Sequence, residues 1–474
     1  MLSAPLVASL LAGCAAPVGA PSRGAAPVSS SAASPPYRYE VVAGPDAEEL
    51  RVVVDLPRGT SRLVAMRSIL PFVRDVSVSS GGEGWTTVTP SAGGFDLPGC
   101  EGAPCRARYR VLLGDAARAI GDRDLALAHR GALLAPSSTW LLRPSRPLLD
   151  DRFRVHVSTP SGLGYVNGLF PAQGAVDVQE GRVGDLAGSP YAAFGLADSK
   201  RVDLPGGEIT IALSGGAPTL GREAIERWIE VRARAVAAYY GRFPVPHAAT
   251  LVLFTSGRGV GGGSTMGSGG ASLLVSLGER VPASELEEDW ILVHELVHVA
   301  FPNVGSPWLE EGLATYVEPL IRVRAGLLEP DVLFRDLLEG LPQGQPQSGD
   351  RGLDHTDTWG RRYWGGALFW LLADVAIRKS TGNARSLDDA LRRIVAQGGH
   401  VGVTWSVDRA LEEGDRDAGG TVLRDLRKRL GGAPVTTDLD ALFRELGVRL
   451  VGRAVVYDDT ASLAAIRRSI AARR

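Results

Sequence analysis

The 474-residue chain has little cysteine, little lysine and almost no net charge. Its three cysteines exclude a disulfide-dense scaffold and any zinc module built from cysteine. The formal net charge of -2 argues against nucleic acid as a partner. After the first residues, no stretch reaches about 18 uninterrupted apolar residues, so no later segment is predicted to span a membrane. With 45% hydrophobic residues the chain can form a core, and its length allows roughly two to four domains.

An apolar run, Leu2–Leu11, lies at the N-terminus. It has the length of a signal-peptide apolar region and is too short to cross a bilayer of about 30 Å. The run leads into Ala12-Gly13-Cys14, and small residues before a single cysteine resemble the bacterial lipobox. A chance cysteine in an apolar leader is the alternative. We predict a lipoprotein signal peptide over residues 1–14, lipidation of Cys14, and an exported protein anchored by lipid to a bacterial membrane, facing the periplasm or the cell exterior.

Two further zones precede the part of the chain that contains the candidate catalytic residues. Residues 15–36 are rich in Ala, Pro, Ser and Gly and predict a flexible linker. Residues 37–215 contain short β-branched or alternating runs between Pro, Gly and Asp turns, which predict an N-terminal antiparallel β domain. Cys100 and Cys105 lie in its LPGCEGAPC loop. In an exported protein, a local disulfide is the simpler interpretation of this pair, and a metal pair is the weaker one.

The pattern changes in residues 216–474. Ile225, Trp228, Ile229, Val236 and Tyr239 recur at helical spacing and predict a helix that ends near Gly241. The buried strand ATLVLFTS and the Gly-rich segment GRGVGGGSTMGSGGASLLVSL follow. No phosphate-binding glycine motif is present in that segment. Beyond about residue 342 the chain is predicted to be mostly helical.

The chemistry is concentrated in residues 284–318, SELEEDWILVHELVHVAFPNVGSPWLEEGLATYVE. Ser284 with Glu287 is a capping-box pattern, and the helix it opens is predicted to run to Pro302. His294 and His298 are four residues apart, so both imidazoles project from one face and can bind one zinc ion. This is an HExxH arrangement, in which Glu295 is a general base and not a ligand. Two histidines that face the core are the alternative explanation.

A catalytic zinc needs a third protein ligand. Glu311 follows His298 by thirteen residues, on a second helix that Ser306 can cap. Gly312 next to it allows close helix packing, whereas Glu310 points about 100° away around the helix. We therefore predict one Zn²⁺ per chain, held by His294, His298 and Glu311, with an open fourth position.

HELVH followed by WLEEGLATY resembles the gluzincin zinc metallopeptidases, and within them the glycyl aminopeptidase family. Further likeness lies in ADSKRVDLPGGEITIALSGG, in the Gly-rich segment and in YWGGALFWLLADVAIRKSTGNARSLDDALRRI. The resemblance implies an α+β fold, with an N-terminal antiparallel β domain (37–215) and a thermolysin-like metallopeptidase domain with a helical C-terminal part (216–474). The resemblance also implies that Tyr363 hydrogen-bonds the developing oxyanion. Without the resemblance, the interpretation of Tyr363 is an ordinary buried tyrosine.

The Gly-rich segment resembles the family's edge strand, so Gly261, Gly262 and Gly263 are predicted to bind a peptide substrate as an added β-strand. In place of the family's Gly-Leu-Glu-His element, Gly263 is followed by Ser264-Thr265-Met266, with no acid. The prediction is a zinc metallopeptidase, a hydrolase of peptide bonds, with aminopeptidase action as one form. The rival is a non-catalytic surface lipoprotein that keeps zinc for binding or structure.

Overall fold

The computed structural model describes residues 36–82, 84–175, 177–196 and 199–473. The predicted signal peptide, Cys14 and the predicted linker up to residue 35 lie outside these residues. The described chain has a β-rich first part and a largely helical last part, so the predicted α+β class is confirmed. Among the described residues, no helix is long and apolar enough to cross a membrane.

Strands dominate the first part. Its elements are, in chain order, β1 (Tyr37–Ala43), β2 (Leu50–Leu56), β3 (Arg62–Val64), β4 (Val73–Ser80), β5 (Thr86–Thr87), β6 (Pro90–Ser91), β7 (Gly94–Asp96), β8 (Cys105–Val111), α1 (Leu113–Ile120), β9 (Leu127–His129), β10 (Ala132–Leu134), α2 (Ser137–Trp140), β11 (Arg143–Pro144), β12 (Arg152–Ser158), β13 (Tyr165–Asn167), β14 (Val178–Arg182) and β15 (Ala192–Phe194). The main sheet has the order β14-β12-β1-β2-β8-β4-β5. Its neighbouring strands are antiparallel, except that β1 and β12 are parallel.

Alternation of side chains explains how this sheet covers its core. Along β1, Tyr37, Tyr39 and Val41 are buried while the residues between them are exposed, as expected for a strand with one wet face. The buried Tyr39 hydroxyl donates to the carbonyl of Leu142 at 2.8 Å, so it satisfies its polar end inside the core. Two small four-stranded sheets, β13-β15-β10-β9 and β11-β3-β7-β6, complete this part.

Helices dominate the second part. Its elements are β16 (Ser199–Leu204), β17 (Gly207–Leu213), α3 (Arg222–Tyr240), β18 (His247–Thr255), β19 (Val260–Met266), β20 (Ser272–Gly278), α4 (Ala283–Glu288), α5 (Ile291–Val299), α6 (Pro307–Arg324), α7 (Pro330–Gly340), α8 (Gly366–Ser380), α9 (Leu387–Ala396), α10 (Val407–Ala418), α11 (Val422–Leu430), α12 (Leu439–Leu446), β21 (Val448–Val451), β22 (Ala454–Tyr457) and α13 (Ala464–Ile470).

A five-stranded sheet with the order β16-β17-β18-β20-β19 anchors the second part. Strands β17, β18 and β20 run parallel, and β19 pairs antiparallel with β20 at the edge. The sheet begins at Ser199, so the domain boundary predicted at residue 215 divides it and needs correction. Short β runs between turns do not reveal which sheet a strand joins, because the pairing partner of β17 lies beyond the intervening helix α3.

The predicted helix before the sheet's central strand is confirmed. Helix α3 buries Ile225, Trp228, Ile229, Val236 and Tyr239 and ends at Gly241, whose φ is +79°. A left-handed residue at this position is a common helix C-terminus, and glycine adopts it without a steric penalty. The helix therefore covers one face of the sheet with the side chains that the 3.6-residue period selects.

The single helix predicted from Ser284 to Pro302 is wrong: two helices, α4 and α5, occupy this segment. The break lies at Asp289, whose ψ is 129°. Its carboxylate accepts the N–H groups of Ile291 at 3.1 Å and Leu292 at 3.2 Å. Asp289 thus competes for the backbone and caps the second helix, as short polar side chains do. The predicted capping box is not formed, because Ser284 lies inside α4.

The helical C-terminal part positions Tyr363, the predicted oxyanion donor. The helix predicted from residue 361 to 379 begins with a π-helical turn, Arg361–Gly365, before α8. Ser386 and Asp389 form a capping box at α9, and Asp438 caps α12 through the N–H of Ala441 at 2.8 Å. Single-turn π segments occur often at functional sites, and this one contains Tyr363.

Candidate active site

The predicted metal ligands lie on two consecutive helices, α5 and α6. Glu310 and Glu311 diverge as the helical rotation predicts. The Glu310 carboxylate accepts the backbone N–H groups of Val304 at 2.9 Å and Ser306 at 3.3 Å, so it holds the turn between the two helices. Ser306 is the N-cap residue of α6, but its own side chain makes no cap hydrogen bond. Glu310 therefore orders the connection that returns α6 to α5.

The glycine after Glu311 allows a close contact between two helices. A β-carbon on Gly312 would lie 2.3 Å from the α-carbon of Gly366, at the start of α8. The close approach that Gly312 allows is therefore between α6 and α8. Since α8 follows directly after the turn that contains Tyr363, this contact sets the distance between Tyr363 and the ligand helix.

The structure brings His294, His298 and Glu311 together. Nε2 of His294 lies 3.3 Å from Nε2 of His298 and 3.2 Å from Oε2 of Glu311, and the third separation is 3.4 Å. Ligands about 2.0–2.1 Å from a tetrahedral zinc ion lie roughly 3.3 Å from one another. The donor atoms and their spacing therefore fit three corners of a zinc tetrahedron. Among the described residues, this group alone brings three such donors together.

The charges in this group complement a cation. Burial opposes the ionisation of Glu311, but the neighbouring His298 and His294 outweigh it and hold the pKa of Glu311 well below its usual range. Burial also opposes the charged form of His298, yet the Glu311 carboxylate raises the pKa of His298 to about 9. A positive charge is thus favoured at this point, and a divalent ion would supply it.

Glu295 lies beside the ligands on α5 and is 8% exposed. The hydroxyl of Thr265, on the edge strand β19, lies 2.7 Å from Oε2 of Glu295 and 2.9 Å from its backbone oxygen. A hydrogen bond from a neutral hydroxyl orients a carboxylate without removing its charge. Thr265 therefore orients the Glu295 side chain. The sequence of this segment indicates only that an acid is lacking and does not predict this role for Thr265.

The three glycines of β19 have different surroundings. A β-carbon on Gly263 would lie 2.6 Å from Cγ of Glu295 and 2.8 Å from Cγ2 of Ile291, so the strand can approach α5 closely only with glycine there. Gly262 has a φ of +146° and lies at a register shift that begins after Val260. Gly261 has ordinary space around its α-carbon. Of the three, only Gly263 lets the edge strand lie against Glu295, and binding of substrate by these glycines stays a prediction.

Tyr363 faces the ligand group from the π-helical turn. Its ring is stacked with that of His294, with 6.5 Å between centroids. Burial, followed by the charge of Glu311, raises the pKa of Tyr363 to about 12. The phenol is therefore protonated at neutral pH and can donate a hydrogen bond. Sequence spacing alone contains no signal for this placement, since 52 residues separate Tyr363 from Glu311.

The cysteine pair and three other histidines have partners outside this group. Cys100 and Cys105 form a disulfide that closes the turn before β8. The Nε2 atom of His129 lies 2.9 Å from the carbonyl of Phe254, and Nδ1 of His156 lies 2.8 Å from Glu40. Nδ1 of His400 accepts the N–H of Gly402 at 3.1 Å. These histidines have protein partners outside the three-ligand group.

Comparison with known proteins finds a likeness in solved structures only. No family model and no curated protein matches the chain. An aminopeptidase N family protein from Idiomarina loihiensis superposes with a TM-score of 0.63 at 13% identity, covering 87% of this chain and 78% of that one. The fold is that of the gluzincin aminopeptidases. An M1 zinc metallopeptidase from Deinococcus radiodurans gives a TM-score of 0.53 at 16% identity, covering 85% of this chain and 94% of that one.

The Deinococcus neighbour has also been solved as a variant bound to a Tyr-Ser-Ala substrate, with a TM-score of 0.53 and 16% identity. The gluzincin resemblance read from HELVH and WLEEGLATY is thus confirmed at the level of the fold. At these identities the neighbours establish architecture, while the narrower resemblance to the glycyl aminopeptidase family stays a prediction.

Proposed function

We propose that this protein is a zinc-dependent peptidase that hydrolyses peptide bonds with an activated water. The observation that carries the proposal is the set of three donor atoms spaced 3.2–3.4 Å apart beside a buried Glu295. His294, His298 and Glu311 would hold the ion. When bound, zinc supplies Lewis-acid chemistry, which acidifies water and polarises a carbonyl.

Glu295 has the position of the general base. Its carboxylate adjoins the ligand group without belonging to it, and it accepts a hydrogen bond from Thr265. In this mechanism Glu295 takes a proton from the attacking water and delivers it to the leaving amine. A structural metal site has no need of that acid, so its presence supports catalysis over the non-catalytic alternative.

Tyr363 has the position of an oxyanion donor. Its protonated phenol belongs to the ring that stacks on His294, on a turn fixed by the close contact between Gly312 and Gly366. A donor held in place before the reaction stabilises negative charge that develops on the scissile carbonyl oxygen. We therefore assign Tyr363 to the transition state and not to binding of the ground state.

Aminopeptidase action is the finer part of the proposal. It is supported by the aminopeptidase neighbour and by the neighbour solved with a tripeptide. The test is mass-spectrometric profiling of a mixed peptide pool with the zinc-loaded protein. Release of single N-terminal residues supports an aminopeptidase, and internal cleavage supports an endopeptidase. No cleavage by fully zinc-loaded protein would contradict the function and favour the non-catalytic lipoprotein.

Export and lipid anchoring at Cys14 belong to the same proposal, and the apolar run before the cysteine supports them. The substitution Cys14→Ala should release the protein from membranes and shift it from the detergent phase to the aqueous phase. Unchanged detergent partitioning of that variant would contradict the anchor without affecting the peptidase assignment.

A further inference from the structure

Two exposed tryptophans flank the ligand group. Three of the nine tryptophans are exposed, and two of these, Trp290 and Trp359, are each 51% exposed. The third, Trp85, lies in the first part of the chain, where the guanidinium of Arg108 covers its ring at 4.3 Å. A large aromatic surface left in water is costly, and it is common where a ligand covers it.

Each of the two tryptophans precedes a site residue by one helical turn. Trp290 is four residues before His294, and Trp359 is four residues before Tyr363. Residues at this spacing share a helix face. The rings are in contact in both pairs: 5.4 Å separates the centroids of Trp290 and His294, and 5.7 Å those of Trp359 and Tyr363.

The two pairs meet at the candidate zinc site. His294 and Tyr363 are themselves stacked at 6.5 Å, so four rings form a continuous row, Trp290–His294–Tyr363–Trp359. The middle two belong to the proposed catalytic group, and the outer two are the exposed ones. Whatever covers the outer rings therefore lies next to the reacting bond.

We propose that Trp290 and Trp359 bind large apolar or aromatic side chains of the peptide substrate on either side of the scissile bond. This inference rests on the proposed peptidase function and narrows its substrate class. A flat aromatic face gains most from another ring or a branched aliphatic chain and least from a small polar one. The row of rings thus predicts a preference for Phe or Leu over Ser next to the cleaved bond.

The test compares the zinc-loaded full-length protein with Trp290→Ala, Trp359→Ala and the control Trp85→Ala. Matched peptides differ only in having Phe or Ser beside the scissile bond. We expect the ratio of kcat/KM for Phe over Ser to fall about 10-fold in each site variant, as loss of an apolar contact predicts. The ratio should stay unchanged in Trp85→Ala, and Trp290→Phe should retain most of the preference.

A binding measurement separates this inference from the function on which it rests. Calorimetry on Glu295→Gln, loaded with zinc, should give an affinity for the Phe peptide that falls about 10-fold when Trp290→Ala is added. Equal loss for the Phe and Ser peptides, or no loss for either, overturns the inference. If the parent cleaves nothing but the binding preference persists, the peptidase assignment fails and the aromatic recognition stands.

Discussion

The two parts of the molecule differ in how deeply their ion pairs are buried. In the β-rich part, ion pairs lie on the surface; Arg118 and Glu48, for example, are each about half exposed. The part that contains the candidate active site also has exposed pairs, such as Arg416 with Glu412, but several of its ion pairs are buried. Arg378 and Asp374 pair at 2.9 Å with 3% and 0% exposure, and Arg324 and Asp388 are similarly enclosed.

This difference shows where the fold requires a defined geometry. Exposed pairs contribute about 0–1 kcal/mol, whereas removing one member of a buried pair leaves an uncompensated charge. Asp374 illustrates the second case. It accepts hydrogen bonds from Tyr316 on α6, from Arg378 on α8 and from the N–H of Leu387 on α9. The helix that carries Glu311 and the helix that follows the Tyr363 turn are therefore joined by one buried carboxylate.

The largest expected effect is loss of the metal. Glu311→Ala removes the third ligand and should lose zinc and turnover, whereas Glu310→Ala should keep zinc, because its carboxylate binds the amides of Val304 and Ser306 instead. Leaving those amides unsatisfied should lower stability by about 1–3 kcal/mol. Elemental analysis checks the first result and chemical unfolding the second; equal zinc content in both variants would refute the ligand assignment.

The next largest effect is expected at Glu295, a buried acid beside the metal-ligand group that forms no ion pair with any basic residue among those described. Glu295→Gln should retain zinc and the fold, since the amide preserves the shape and can still accept from Thr265. Turnover should fall by at least about 10²–10⁴, because an amide cannot take the proton of water. Steady-state kinetics with zinc content as the control checks it. A variant as fast as the parent would show that the mechanism is wrong.

The difference in stability between buried and exposed ion pairs can be tested directly. Asp374→Ala should lower the free energy of unfolding by about 3–5 kcal/mol, and Glu48→Ala by about 0–1 kcal/mol. Urea unfolding of both variants measures the two values. If the exposed pair costs as much as the buried one, the contrast between the two parts of the molecule does not hold.

Tyr363→Phe tests whether the π-helical turn serves chemistry. The variant lacks one oxyanion donor but keeps the ring that stacks on His294, so kcat should fall by about 10²–10³. KM should change little, because the phenol acts on the transition state. A raised KM with unchanged kcat would assign Tyr363 to substrate binding.

The last expected effect is on the response to pH. His400 packs edge-to-face on Phe170 of the β-rich part at 5.4 Å. Burial, with a smaller contribution from Arg242, lowers the pKa of His400 to about 4. The unfolded chain binds this proton near pH 6.5. The contribution of His400 is therefore complete above pH 6.5 and is lost as the pH falls towards 4, by up to about 3 kcal/mol.

His400→Asn should reduce that loss. Urea unfolding at pH 7.5 and 4.5, in the presence of a chelator, measures it without the pH dependence of zinc binding, and the titration of the ligand side chains is common to parent and variant. If the parent and the variant have the same difference in stability between the two pH values, His400 does not contribute to the acid sensitivity.

Local sequence determined the ligand group because its spacing is local. HELVH places two imidazoles on one face of one helix. The connection between α5 and α6 is short, so it restricts the positions that Glu311 can take relative to the two histidines. The helix face of α3 and the capping box of α9 follow from the same short-range rules. Asp289 is also a local capping signal. The capping-box pattern at Ser284 predicts an earlier helix start instead, so the break at Asp289 is not predicted.

Only the tertiary structure decided what surrounds those ligands. Thr265 meets Glu295 because β19 is the edge strand beside α5, and Gly263 is needed there because the two elements nearly touch. Tyr363 reaches His294 through the contact of Gly312 with Gly366, and β17 joins its sheet across a whole helix. Such contacts join residues far apart in the chain, and neither periodicity nor spacing encodes which distant surfaces will meet.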